Sequence, residues 1–253
     1  MQRDREHYNA AVASSVSVVS ATLPPILDGI NLEIAAGESV ALIGRSGAGK
    51  TTMLRLLNGL ARPASGSVAI DGVPLDGDLA VRRRRIGTML QAPALFPHRT
   101  VYENIATVPL LLGWSADRTR AAASALLARL EMPLERFADR YPRSLSGGEQ
   151  QRIGIARAMI AEPPLLLCDE PFSALDPLVR RDLQEAFIAL RDTGDVTVVF
   201  VTHDLGEALR VARRIVLIDA GAILCDEPRE RFLTSGLPLV RRFIEAARLP
   251  VAS

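Results

Sequence analysis

The sequence predicts an α/β fold: a mixed sheet core, antiparallel strands at the N-terminal end and a helical insert. Three observations predict it. The octapeptide Gly44-Arg45-Ser46-Gly47-Ala48-Gly49-Lys50-Thr51 stands between a β-branched apolar run at 38–43 and a stretch of helical spacing at 52–58. Short apolar runs at 165–168, 196–201 and 215–218 alternate with helical stretches in the later part of the chain. Between them, 100–130 and 146–160 carry helical periodicity, which places a helical insert at about 92–160.

Taken in order, residues 1–13 read as a flexible extension. Runs at 12–19 and 30–34 predict strands on either side of a Pro24-Pro25 turn. After the loop helix, Pro63-Ala64-Ser65-Gly66 predicts a turn, 67–70 a strand, and Asp71-Gly72 a tight hairpin. A short strand follows at 86–90. The insert begins with Thr100-Val101-Tyr102-Glu103-Asn104-Ile105 and continues through an alanine-rich helix at 115–130. A helix at 177–190 separates the strands at 165–168 and 196–201. Runs at 215–218 and 222–225 finish the sheet, and 238–247 is an amphipathic helix. One domain over 14–247 with a tail at 248–253 accounts for the chain.

The octapeptide matches G-x-x-x-x-G-K-[ST], a phosphate-binding loop. Its three glycines let successive backbone N–H groups turn inward, where side chains would collide with phosphate. The helix that follows adds the positive end of its dipole. Lys50 supplies an ammonium for the β- and γ-phosphates, and the Thr51 hydroxyl can ligate Mg²⁺. The glycines are not in G-x-G-x-x-G order, which argues against a dinucleotide fold.

Such a loop needs an acidic partner at the end of a neighbouring strand. Leu165-Leu166-Leu167-Cys168-Asp169-Glu170 supplies one, with Asp169 placed to orient the metal and Glu170 to act as general base on water. His203, in Thr202-His203-Asp204 after the run at 196–201, falls at another strand's C-terminal edge, where it can sense the γ-phosphate. Leu145-Ser146-Gly147-Gly148-Glu149-Gln150-Gln151-Arg152 predicts a helix N-terminus with Ser146 as cap. Gly147 and Gly148 leave that positive end bare of side chains and able to take an anion.

Composition narrows the setting. A formal charge of +1 over 253 residues gives no net field toward nucleic acid or anionic lipid. The arginine run at 82–85 reads as a solvated surface helix. The two cysteines, Cys168 and Cys225, show neither metal nor disulfide-framework spacing, as expected in a reducing cytosol. No apolar stretch reaches the ~18 residues of a membrane span. Residues 1–9 are charged and lack the apolar core of a signal peptide.

Together these segments resemble an ATP-binding cassette (ABC) ATPase. In that resemblance 44–51 is Walker A, Gln91 the Q-loop glutamine, 145–152 the family signature, and 165–170 Walker B. Ser173-Ala174-Leu175-Asp176 is the D-loop and His203 the switch histidine. It implies a P-loop NTPase fold of the ABC type, ATP and Mg²⁺ as ligands, and Glu170 and His203 as the catalytic pair. Gly44, Arg45, Ser46, Gly47, Ala48, Gly49, Lys50, Thr51, Thr52, Gln91 and Asp169 would hold nucleotide, with Thr51, Gln91 and Asp169 on the metal. It also implies a head-to-tail homodimer in which Ser146, Gly147 and Gly148 of one copy close on the ATP of the other. Gln91 would report nucleotide state to the helical insert and so to membrane-spanning permease subunits.

The segment from Leu95-Phe96-Pro97-His98-Arg99-Thr100 to Leu111-Leu112-Gly113-Trp114 is similar to ATPases of quaternary-amine importers for glycine betaine, carnitine or choline. Arg140-Tyr141-Pro142 and Asp169-Glu170-Pro171-Phe172 fit the same group. The resemblance implies a peripheral subunit at the cytoplasmic face of the plasma membrane, served indirectly by a substrate-binding protein and without a nucleic-acid partner. Importers of another small polar solute, such as an amino acid or phosphonate, are the alternative. Soluble family members that act on nucleic acid or ribosomes are a further one. One departure stands out. The family stacks adenine on an aromatic ring upstream of Walker A; alignment puts that ring near Ala21, and Tyr8 is too far away, so either weaker adenine discrimination or a ring supplied differently is expected.

Overall fold

The computed structural model describes residues 15–23, 26–76, 79–89, 91, 94–173, 175–192 and 196–247. The extension at 1–13, the Pro24-Pro25 turn, Ala174 of the D-loop and the tail at 248–253 lie outside them.

Strands β1 (Val16–Leu23), β2 (Leu27–Ile34), β4 (Ser65–Ile70) and β5 (Val73–Pro74) form an antiparallel sheet in the order β2-β1-β4-β5. β1 runs past residue 19, where sequence alternation ends. Its register shifts between Val18 and Ala21 and again before Leu23, and such bulges break the period of two that marks a strand. Asp71 and Gly72 turn β4 into β5 with φ of 52° and 71°, the left-handed pair that a two-residue hairpin requires.

The second sheet has the order β10-β9-β3-β8-β7-β6. Its members are β3 (Ser39–Ile43), β6 (Ile86–Met89), β7 (Leu165–Asp169), β8 (Thr197–Val201), β9 (Arg214–Asp219) and β10 (Ala222–Pro228). β9, β3, β8, β7 and β6 pair parallel, and β10 closes the edge antiparallel. The continuous apolar runs follow from burial on both faces. Val40, Leu42, Leu165, Leu167, Val199 and Val201 pack toward the antiparallel sheet and helix α1 (Lys50–Leu57). Ala41, Ile43, Leu166, Cys168, Val198 and Phe200 pack on the opposite face.

That opposite face meets the helical insert: α3 (Val101–Leu111), α4 (Ala116–Arg129), α5 (Leu134–Phe137), a 3-10 turn at Pro142–Ser144, and α6 (Gly147–Met159). Buried Asn104 fastens the insert's first loop. Its Oδ1 accepts from the Phe96 amide, and its Nδ2 donates to the carbonyls of Phe96, Arg99 and Thr100. α6 presses so closely on β6 that a Cβ at Gly87 would stand 2.4 Å from the Ala158 carbonyl oxygen. The helices α7 (Pro177–Asp192), α8 (Leu205–Val211), α9 (Arg229–Leu233) and α10 (Pro238–Ala246) complete the later half.

The arginine run straddles the end of α2 (Leu79–Arg83), and part of it is spent internally. Arg82 donates to the carbonyls of Val73 and Pro74 and so pins β5. Cys168 is fully buried, and burial raises its thiol far above the usual range. No helix among the described residues is long and apolar enough to cross a membrane.

Candidate functional site

A cleft of about 530 Å³ opens at the C-terminal edge of the parallel strands. Ser46, Gly47, Ala48, Gly49, Lys50, Thr51 and Thr52 line one side, and Gln91, Glu170 and His203 face them. Gly44 and Arg45 stand behind this lining. They present their carbonyl oxygens to the Lys50 ammonium, each at 2.8 Å. Lys50 is only 7% exposed, and desolvation lowers its pKa against the pull of Glu170 and Asp169. An ammonium has three protons to donate, so two carbonyls leave one for a ligand.

Helix α1 starts differently from the helices that have side-chain caps. Its N-cap is Gly49 at φ 104°, no side chain accepts from its first amides, and its first turn carries no acid. The dipole therefore stays uncompensated at the cleft, as an anion site requires. By contrast, Ser146 caps α6 reciprocally with Glu149, whose Oε2 accepts from the Ser146 amide at 2.7 Å. The α6 end is thus less bare than its glycines suggest, because it carries its own carboxylate.

The two acids at the end of β7 diverge. Asp169 is 9% exposed and accepts from the Thr51 hydroxyl at 3.3 Å. Burial raises its pKa, and the Thr51 bond opposes the shift. Glu170 sits at φ 48°, a left-handed conformation that costs a non-glycine residue about 1 kcal/mol or more. Its neighbours hold it there: its amide donates to the Val201 carbonyl, and its carbonyl accepts from the Ser173 amide and hydroxyl. The turned carboxylate meets Gln91 Nε2 at 2.9 Å through Oε2 and His203 Nδ1 at 3.2 Å through Oε1.

Thr51, Asp169 and Gln91 offer hydroxyl, carboxylate and amide oxygens. This hard-donor set suits Mg²⁺ with its remaining ligands from phosphate and water. No cluster of three His, Cys, Asp or Glu that could hold a metal occurs among the described residues.

Ser146, Gly147 and Gly148 do not line the cleft. A Cβ at Gly147 would meet nothing within 4 Å, whereas one at Gly148 would stand 2.7 Å from Val179 Cγ1. Ala21, the position that aligns with the family's aromatic ring, lies away from the cleft lining. Ala21 is fully buried against the core and pairs with Ile30, so nothing can stack on it. Ile26, 41% exposed, borders the cleft instead. The sequence reading missed Ile26 because two contacts distant in sequence fix its backbone: a Cβ at Gly221 would lie 2.4 Å from its carbonyl oxygen, and one at Gly49 would lie 3.2 Å from it.

Comparison with known proteins follows the same outline. The family profile described as "ABC transporter" matches residues 27–173. The glycine betaine/carnitine/choline transport ATP-binding protein OpuCA of Bacillus subtilis (strain 168) is 46% identical over 225 residues, 88% of this chain and 59% of that protein. The choline transport ATP-binding protein OpuBA of the same strain is 49% identical over 199 residues, 78% of this chain and 52% of that one. The chain thus spans between half and three-fifths of the length of these relatives. Among solved structures, a dimeric post-hydrolysis state of the ATP-binding cassette MJ0796 bound to ADP and Pi superposes with a TM-score of 0.77 at 34% identity. That match covers 85% of this chain and 98% of that one.

The Asp169 environment makes a prediction with a definite sign. Its native pKa lies above the unfolded value of about 3.9, so its stabilising contribution is full below that value and is lost as pH rises through the native one. Asp169→Asn, in magnesium-free buffer, should melt above the parent at pH 7. The gap should narrow as the buffer approaches about pH 4; melting curves at both pH values check this.

Proposed function

The chain belongs to the ABC transporter family, and from that premise we propose that it is the ATP-hydrolysing subunit of an importer for a quaternary-amine osmoprotectant. The observation that carries the hydrolytic reading is the Glu170 carboxylate, held at the cleft mouth between Gln91 and His203. The likeness to the two Bacillus importer ATPases supports the solute class.

In this reading the amides of 46–52 take the phosphates, and Lys50 gives the proton that the Gly44 and Arg45 carbonyls leave it to the phosphate oxygens. Lys50 is already desolvated, so little reorganisation remains to be done when the substrate arrives. A Mg²⁺ held by Thr51, Asp169 and Gln91 would neutralise phosphate charge. Glu170 accepts the proton of the attacking water, and His203 and Gln91 fix the direction of its carboxylate. Ile26 offers the base an aliphatic contact in place of a ring.

Ser146, Gly147 and Gly148 of a second copy close over the nucleotide, which explains why one chain leaves them away from its own cleft. ATP then favours the closed dimer because it makes contacts there that the open state lacks. The helical insert passes this state to permease subunits at the cytoplasmic face of the membrane, and a binding protein delivers the solute.

Three measurements test the reading. Glu170→Gln should bind ATP but lose turnover by about 100-fold or more, and should elute as a dimer with ATP on size exclusion. Unchanged turnover would remove Glu170 from the base role. With no Phe, Tyr or Trp ring lining the cleft among the described residues, a platform worth about 0.5–1.5 kcal/mol is missing there, and kcat/KM for ATP over GTP should stay below about tenfold. In the complex reconstituted with its permease, glycine betaine, carnitine or choline should stimulate ATPase activity; stimulation by an amino acid or a phosphonate instead would reassign the solute.

A further inference from the structure

Behind His203 lies a charged cluster that plays no part in the chemistry described above. Glu207 in α8 is 7% exposed, and its Oε2 accepts from the Thr202 hydroxyl at 2.6 Å. The same hydroxyl oxygen accepts from the Asp204 amide at 3.0 Å, and the Thr202 amide donates to the Leu42 carbonyl of β3. Both residues flanking His203 are therefore tied down, and Glu207 is the buried end of the tie.

Arg180, in the first turn of α7, faces this cluster from the other side. Its Nη2 donates to the Leu175 carbonyl at 3.1 Å, which links it to the loop before the helix. Its Nη1 lies 3.8 Å from Asp204 Oδ2, and its Nε lies 3.7 Å from Glu207 Oε1. These are ion-pair distances beyond hydrogen-bond length. The Nε is buried without a hydrogen-bond partner among the described residues. A buried donor left in that condition destabilises the fold, because its lost hydration is not replaced. A shift of α7 toward α8 by about 0.5–1 Å would bring it within bonding distance.

The start of α7 is also where α6 rests. A Cβ at Gly148 would collide with Val179 and touch Leu175, so the segment at 146–148 and the first turn of α7 share one surface. Arg180 follows Val179 and bonds the Leu175 carbonyl, so it is joined to that surface.

We infer that Arg180 and Glu207 are positioning residues, a strut that closes when a second copy docks against the 146–148 surface and thereby locks His203 in the contact it already makes with Glu170. The inference rests on the hydrolytic reading of that pair. Burial supports it: desolvation raises the Glu207 pKa, and the hydrogen bond from Thr202 and the charges of Arg180 and His203 oppose the shift while Asp204 adds to it, so ionised Glu207 gains from a closed Arg180 contact.

The test is a double-mutant cycle on the full chain, measuring kcat, KM and melting temperature with Mg-ATP. Arg180→Ala and Glu207→Gln should each lower kcat by about tenfold, the scale of a small misplacement of a catalytic group, with KM changed less than about twofold. The double variant should be no slower than the slower single, because both remove one contact. Arg180→Lys keeps the charge without the planar fork and should fall between wild type and Arg180→Ala; it also carries the cycle if the alanine variant fails to fold. Wild-type kcat in both single variants, multiplying losses in the double, or a lowered melting temperature with kcat unchanged would each overturn the strut. A wild-type chain that does not hydrolyse ATP would sink the hydrolytic reading itself, whereas an active wild type with an equally active Arg180→Ala sinks the strut alone.

Discussion

At Gly44 the chain leaves β3 with φ 152°, and a Cβ there would stand 2.1 Å from the Ile218 carbonyl oxygen. No side chain fits between the loop and β9. This contact forces the loop to rise off the sheet edge, and the features of the cleft follow from its path. The Gly44 and Arg45 carbonyls turn toward Lys50, Gly49 enters α1 from the left-handed region, and the first helical amides face outward with no side chain over them. The phosphate cradle is a property of the backbone path, and the glycines are the residues that allow it.

Around this path the structure accepts electrostatic cost. Lys50 and Asp169 are both buried, and in both cases burial is the largest cause disfavouring the charged form. Glu170 adds backbone strain at its positive φ. The double-sided sheet supports these residues. Phe172, two positions after Glu170, meets Phe187 and Phe200 edge-on with ring centroids 5.6 and 6.5 Å away, so a rigid apolar block lies directly behind the strained turn. Strain of this kind persists when the surroundings over-determine it.

The phosphate loop and the acids after β7 were legible because each is set by a few adjacent residues. The long helices were legible by period, and the central strands by their unbroken apolar runs. The short helices α5, α8 and α9 were not, since segments of a turn or two carry too little period to register. The bulged half of β1 was lost for the same reason. The contact of Gln91 with Glu170 and the seat of Ile26 depend on residues distant in sequence that the topology brings together. The burial of Ala21, where alignment puts the family's ring, was not legible either, because alignment transfers a position but not the direction in which its side chain points.

The two thiols of the chain remain out of reach. Cys168 sits in mid-sheet one residue before Asp169, Cys225 is 6% exposed on β10, and burial holds both thiols in their protonated, unreactive form. Maleimide or iodoacetamide should therefore label the folded chain slowly. The rate at which either reagent labels it becomes a clock for the opening of the sheet, readable without introducing a foreign probe.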